Sequence, residues 1–126
     1  MLQDCPIYAY IPARDVARAR RFYEDQLGLK PHEETAGGVV YRFANGTACF
    51  LYPTPNAGTS QASQFFWEVP DVDREILELR ERGVTFTDYG MPGDRSPQGA
   101  VIAGGAKAAW FRDSEGNILA LIEPMR

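Results

Sequence analysis

Histidine is almost missing from this chain: there is one, His32, in 126 residues. A Ser-His-Asp or Cys-His nucleophilic centre needs an imidazole held in place by a second residue. His32 is flanked instead by Glu33 and Glu34, and the trio reads as a solvated charge cluster rather than a surface metal site. Cysteine is scarce too. Cys5 and Cys49 are too few for a disulfide scaffold. They read as reduced, half-buried thiols of a cytoplasmic protein, with a bridge between them left open. Long apolar runs are lacking, so no segment reaches the roughly 18 residues of a membrane-spanning helix. The opening MLQDCPIYAY has neither a basic stretch nor a long apolar one, so no secretory signal is expected there. Basic charge is in deficit, with 13 Lys and Arg against 17 Asp and Glu, a net charge of −4 and a pI of about 5.0. Phosphate binding needs a concentrated positive field, so a broad nucleic-acid surface is disfavoured. Neither nucleic acid nor a membrane is an expected partner.

What is present is a core-forming composition, 44% apolar and 24% charged, which argues against disorder. It is arranged as an echo. Tyr8-Ala-Tyr-Ile-Pro-Ala-Arg-Asp15 reads as a strand that ends at a helix-starting aspartate. Val16, Ala19, Phe22, Tyr23 and Leu27 then recur at helical spacing, and Gly28 ends the run. The same order returns 56 residues later by sequence number: Gln64-Phe-Phe-Trp-Glu-Val-Pro-Asp71 is a strand, Val72, Ile76 and Leu79 form a stripe, and Gly83 stops it. Each aspartate can accept from an orphan backbone N–H and complement the helix dipole. Short β-type segments follow each helix: 30–34, 38–43 and 47–52 in the first half, and 84–89, 107–112 and 118–122 in the second. Asn45-Gly46 suits a type I′ hairpin turn. Each half therefore reads β-α-β-β-β, and residues 1–126 read as one domain of two repeats, about 1–53 and 62–126, joined by a turn-rich linker at 53–61. Residues 90–105 hold five glycines and two prolines and read as an irregular stretch, either a bare insertion or a pocket wall. Gly104-Gly-Ala-Lys107 lacks the spacing and the strand-to-helix context of a phosphate loop.

The run Asp15-Val16…Phe22-Tyr23…Leu27-Gly28-Leu29, its weaker copy Pro70-Asp71-Val72…Leu79…Gly83-Val84, and the ending Trp110-Phe-Arg-Asp-Ser-Glu-Gly-Asn-Ile-Leu-Ala-Leu-Ile-Glu123 together resemble the vicinal oxygen chelate superfamily. That superfamily holds glyoxalase I, extradiol dioxygenases, fosfomycin-resistance transferases and bleomycin-binding proteins. Leu51–Thr59 and Tyr89–Gly93 resemble a subgroup of small glyoxalase-like proteins. The resemblance implies an α+β fold of two βαβββ modules, whose curled mixed sheets enclose a cleft, and a homodimer. Metal-dependent members place a ligand on the first and last strand of each module. Carried over one at a time, these positions fall on Tyr8, on Phe50 or Leu51, on Gln64 and on Ala120. Of these residues only Gln64 carries a credible donor, since a phenol with an ordinary pKa near 10 is a poor ligand. The expectation is therefore no metal and no cofactor.

Residues two apart on a strand share a face. If Tyr8 and Gln64 point into the cleft, so do Tyr10, Phe66 and Glu68, while Trp67, Val69, Leu119 and Leu121 pack under the helices. Tyr8, Tyr10, Tyr52, Gln64, Phe66, Tyr89, Trp110 and Ala120 are the candidate ligand-binding residues, and Glu68 is the candidate acid–base group. The preferred reading is a metal-independent protein that holds an apolar or aromatic small molecule. The alternatives are a glyoxalase-like lyase or isomerase, using a metal ion or Glu68, and a structural dimerisation module.

Overall fold

The structure, a computed structural model, describes residues 1–125. Its elements begin where the sequence places helix-starting aspartates. Asp15 is extended, and its Oδ1 accepts from the Arg18 N–H at 3.0 Å at the start of α1 (Val16–Arg20). Asp71 does the same for the Arg74 N–H at 3.2 Å, opening α2 (Val72–Glu81). Each cap satisfies an N–H that has no partner within the helix. Gly28 and Gly83 end the two helical runs with φ of 74° and 90°, a region that costs glycine nothing. The first helix is not uniform. Arg21–Gln26 continues it with π-type geometry, and Leu27 N–H donates to the Phe22 carbonyl at 3.0 Å.

The chain forms two compact units. The first is Met1–Thr59 with Ser114–Asn117; the second is Ser60–Asp113 with Ile118–Arg126. In the first, a short 3-10 turn (Leu2–Asp4) precedes β1 (Tyr8–Ala13), and the sheet adds β2 (Glu33–Thr35), β3 (Gly38–Arg42) and β4 (Ala48–Pro53) in the order β1-β4-β3-β2. The β1–β4 pair is parallel and the other pairs are antiparallel. The β3–β4 connection keeps Asn45 at φ 59° and Gly46 at φ 75°, the left-handed pair an Asn-Gly hairpin turn requires, and Thr47 N–H donates to the Ala44 carbonyl across it. Ile11, Ala13, Val39, Tyr41, Cys49 and Leu51 are buried on the face that packs against Ala19, Phe22 and Tyr23 of the helix. Tyr23 and Tyr41 stack at a tilt, 6.1 Å between centroids.

The second unit repeats the plan around β5 (Phe65–Glu68), β6 (Phe86–Thr87), β9 (Ala106–Arg112) and β10 (Ile118–Pro124). Here β5 and β10, the first and last strands, are again parallel neighbours, and both β6 and β10 pair antiparallel with β9. Val72, Ile76, Phe111, Leu119 and Leu121 are buried on its helix side.

The structure corrects the reading of residues 90–105. The stretch contains a hairpin, β7 (Asp94–Arg95) and β8 (Val101–Ala103), which extends the sheet beyond β9. Side chains from α2 and the hairpin itself hold it. Asp73 Oδ1 accepts from Ser96 Oγ at 2.6 Å and from Gln98 N–H at 2.9 Å, and Arg80 Nη1 donates to Gln98 Oε1 at 3.2 Å. Arg95 draws the preceding loop together by donating to Asp88, Met91 and Gly93. Gly104 and Gly105 turn β8 into β9, and no helix follows them, so the phosphate-loop context is absent as expected. The cysteines differ from one another: Cys5 is exposed, Cys49 is buried, and both are free thiols. Burial pushes the Cys49 thiol up to about 11.

Candidate functional site

The non-helix face of the first sheet can be built row by row from its register. Arg42, Ala48 and Tyr8 form one row. Val40, Phe50 and Tyr10 form the next, and Tyr52 lies beside Pro12 in the third. Alternation puts these residues opposite the buried helix side, and Tyr8 and Tyr10 remain 41% and 63% exposed. The sequence leaves the last-strand position open between Phe50 and Leu51. Phe50 shares the face of Tyr8 and Tyr10, while Leu51 is fully buried beneath the helix. The rings touch: Tyr10 lies 4.6 Å from Tyr52 and 6.4 Å from Phe50, centroid to centroid. Aromatic contacts of this kind contribute about 0.5–1.5 kcal/mol beyond area burial. At the edge of the patch, Arg42 donates from Nη2 to the Tyr8 hydroxyl at 3.1 Å, with its guanidinium carbon 5.8 Å from the centre of the Tyr8 ring.

The second unit carries a different face. Phe66, Ala120, Trp110 and Thr87 form one row across β5, β10, β9 and β6. Phe66 is 56% exposed, whereas Ala120, between it and Trp110, is 3% exposed. Tyr89 sits edge-on to Trp110 at 6.1 Å. The neighbouring row holds Glu68, Ile122 and Ala108. Gln64 precedes β5, and its backbone N–H donates to the Ile118 carbonyl at 2.7 Å. Trp67 lies on the other side, stacked on Phe111 at 6.2 Å. Glu68 is exposed at the end of β5 and lines an open cavity of about 690 Å³ with Val69, Pro70, Lys107, Glu123, Pro124 and Met125. Glu123 Oε1 in turn accepts from the Val72 N–H at 2.9 Å, and Lys107 Nζ lies 3.8 Å from its Oε2.

The structure thus brings Tyr8, Tyr10 and Tyr52 together on one sheet, and Phe66, Tyr89, Trp110 and Ala120 on the other. Two participants are missing from the sequence reading: Phe50, which enters it only as a metal position, and Arg42. Arg42 follows Val40 by two on β3, so alternation places it on this face once β3 is aligned with β4.

The residues present do not fit a divalent ion. Tyr8, Phe50 and Ala120, at three of the positions where the resemblance would place metal ligands, supply a phenol, a hydrocarbon ring and a methyl group. Gln64 offers one amide oxygen, where about three protein ligands are needed. Among the described residues no group of three or more His, Cys, Asp or Glu side chains converges to hold a metal. His32 stands exposed beside the edge strand, its backbone N–H donating to the Val40 carbonyl at 2.8 Å. Its acidic neighbour Glu34 is paired with Arg20, which also binds Glu24.

A buried carboxylate orders the first unit. Glu115 Oε1 accepts from the Arg14 and Asp15 N–H groups, both at 2.9 Å. Arg18 grips the same carboxylate through Nε at 2.8 Å and Nη2 at 3.0 Å. Burial alone would raise this acid. The Arg18 guanidinium, the Asp15 amide and the Ser114 hydroxyl outweigh it and hold the group down at about 2. Close by, Asn117 Nδ2 donates to the Pro12 carbonyl at 2.8 Å, and its Oδ1 accepts from the Gly58 N–H at 3.2 Å. A Cβ on Gly58 would stand 2.3 Å from the Glu115 carbonyl oxygen, so only glycine allows this approach.

Solved structures share this fold across almost the whole chain. UcmS2 aligns with a TM-score of 0.73 at 20% identity, covering 94% of this chain and 96% of its own. TnmS3, an antibiotic binding protein from Streptomyces sp. CB03234, aligns with a TM-score of 0.71 at 22% identity, covering 98% of each. A glyoxalase family protein from Bacillus anthracis aligns with a TM-score of 0.72 at 16% identity, covering 96% of this chain and 95% of its own. No curated protein matches in sequence. The sequence pattern of the glyoxalase/bleomycin resistance protein/dioxygenase superfamily matches residues 7–121, and with its two mixed sheets of β-α-β-β-β plan the chain belongs to that superfamily.

Proposed function

We propose that this protein binds an apolar or aromatic small molecule without a metal ion, using the ring-lined faces of its sheets, as a homodimer in the cytoplasm. The observation that carries the reading is the contact of Tyr10 with Phe50 and Tyr52, one row from Tyr8, on a sheet face where Tyr8 and Tyr10 stay exposed. Small-molecule sites are mostly apolar and aromatic with a few polar groups to orient the ligand. This face has that makeup, and Phe66, Trp110 and Tyr89 repeat it on the second sheet. The fold shared with an antibiotic binding protein supports the same reading. So does the donor-poor set at the four expected metal positions. Two free thiols suit a reducing compartment, and no helix among the described residues is long and apolar enough to cross a membrane.

Titration with a naphthalene-based fluorophore, followed by its emission, tests the reading. Saturable binding that survives a chelator, and that weakens in Tyr10→Ala, is the expected result. Loss of binding on chelation would overturn the metal-free part. Native mass spectrometry of the same sample should give twice the chain mass.

A second reading draws on the cavity lined by Glu68, Glu123 and Lys107, where Lys107 Nζ lies 3.8 Å from Glu123 Oε2. A carboxylate beside an ammonium group is a pair that can move a proton, as a glyoxalase-like isomerase would need. Turnover that is lost in Glu68→Gln would favour it.

A further inference from the structure

We propose that the aromatic face of the first sheet selects a fused-ring aromatic acid, with Arg42 reading the acidic group. This inference deepens the small-molecule-binding reading and rests on it. It starts from how the arginines of the chain are used. Arg18, Arg20, Arg74 and Arg95 are each held by a carboxylate: Glu115, Glu24, Glu78 and Asp88. Arg42 is not. Among the described residues no carboxylate lies within ion-pairing distance of it, and it meets the ring and hydroxyl of Tyr8 instead. A guanidinium has five N–H donors, and the bond to Tyr8 uses one of them. The others are left for a planar, two-oxygen acceptor, the partner that the fork of an arginine matches best.

Placement gives the charge a purpose. Arg42 ends the row Arg42, Ala48, Tyr8, and the next row is Val40, Phe50, Tyr10. Rows two residues apart along a strand are separated by about 7 Å. A two-ring system lying on Phe50 and Tyr10 would therefore bring a carboxylate on its far ring within reach of Arg42. Tyr8 acts as a positioning residue, holding the guanidinium over the patch by a hydrogen bond and a cation–π contact. Charge of the opposite sign comes from Glu33, which pairs with Val40 and shares this face, but it stands exposed on the edge strand. The chain's net charge of −4 acts weakly here, because salt at physiological strength screens charges beyond about 8 Å. The local guanidinium decides which head group is accepted.

The test compares 2-naphthoate with 2-naphthamide, which has the same rings and shape without the charge. Both are titrated by calorimetry into the wild-type protein, Arg42→Gln and Arg42→Lys. Circular dichroism confirms the fold of each variant. The wild type should bind the acid about tenfold or more tightly than the amide, the scale of one charged bidentate contact. Arg42→Gln should weaken the acid far more than the amide and so remove that preference, and Arg42→Lys should keep part of it. Added sodium chloride should weaken the acid and spare the amide. Equal affinity for acid and amide in the wild type would overturn the proposal and leave aromatic binding intact. Failure of both probes to bind at millimolar concentration would overturn the proposal together with the binding reading beneath it.

Discussion

The two helices begin alike and are secured differently. Each opens with an aspartate cap, and each receives a glutamate carboxylate from far along the chain: Glu115 at Arg14 and Asp15, Glu123 at Val72. Glu115 is buried at the side chain and gripped by Arg18 through two bonds, whereas Glu123 is 20% exposed and its cationic partner among the described residues is Lys107 at 3.8 Å. The helices differ in a matching way. α2 keeps α-geometry over ten residues, while α1 does so for five before passing into π-geometry. A short helix supplies few internal bonds, so its start needs more help from outside. The comparison teaches that a repeated sequence pattern fixes where a helix starts, and that distant side chains decide how firmly.

The largest test removes each glutamate in turn. Glu115→Ala leaves two backbone N–H groups and a guanidinium without their acceptor, and should cost about 3 kcal/mol or more in urea unfolding. Glu123→Ala should cost about 1 kcal/mol, the scale of an ordinary cap. Equal costs would break the comparison.

The pH dependence sharpens it. Glu115 is held at about 2 in the folded chain against an ordinary value of 4.5. Its folded value is depressed, so its contribution is fully present above about 4.5 and disappears as pH falls toward 2. Integrated over that interval, the contribution is roughly 3 kcal/mol. Wild type and Glu115→Ala should therefore converge in stability between pH 4.5 and pH 2, as chemical unfolding at stepped pH would show.

The smallest effects come from the caps themselves. Asp71→Ala should cost about 1 kcal/mol, and Asp15→Ala roughly half as much, because Glu115 still covers the start of α1. Thermal melts of the two variants measure the difference, and a larger loss in Asp15→Ala would mean that Glu115 cannot act alone.

Much of this is legible in the residues, and the part that is not has a physical reason. Caps, stops and the Asn45-Gly46 turn are local chemistry, so Asp15, Asp71, Gly28 and Gly83 announce themselves. Alternation likewise separates Tyr8 and Tyr10 from Ile11, and Phe66 from Trp67. Glu115 is hidden inside Asp113-Ser-Glu-Gly-Asn117, which reads as a plain turn, because its partners lie about 100 residues away in sequence. The β7–β8 hairpin is hidden in a glycine-rich stretch, since the anchors Asp73 and Arg80 that make it a sheet edge belong to α2. The aromatic face is legible in part. Tyr52 stands out on its own strand, but Arg42 depends on the register between β3 and β4, which no single strand encodes.

The routing of residues 114–117 limits how such a protein can be divided at the level of the gene. They belong to the first unit, although the strands on either side of them belong to the second. A fragment covering residues 1–59 would keep every strand of the first sheet and lose Glu115, the acceptor for two backbone amides and Arg18. The two halves of the sequence are therefore not interchangeable parts. Residues 114–117 lie in the second half of the sequence and serve the first unit, so moving the first half into a new protein would have to bring them along.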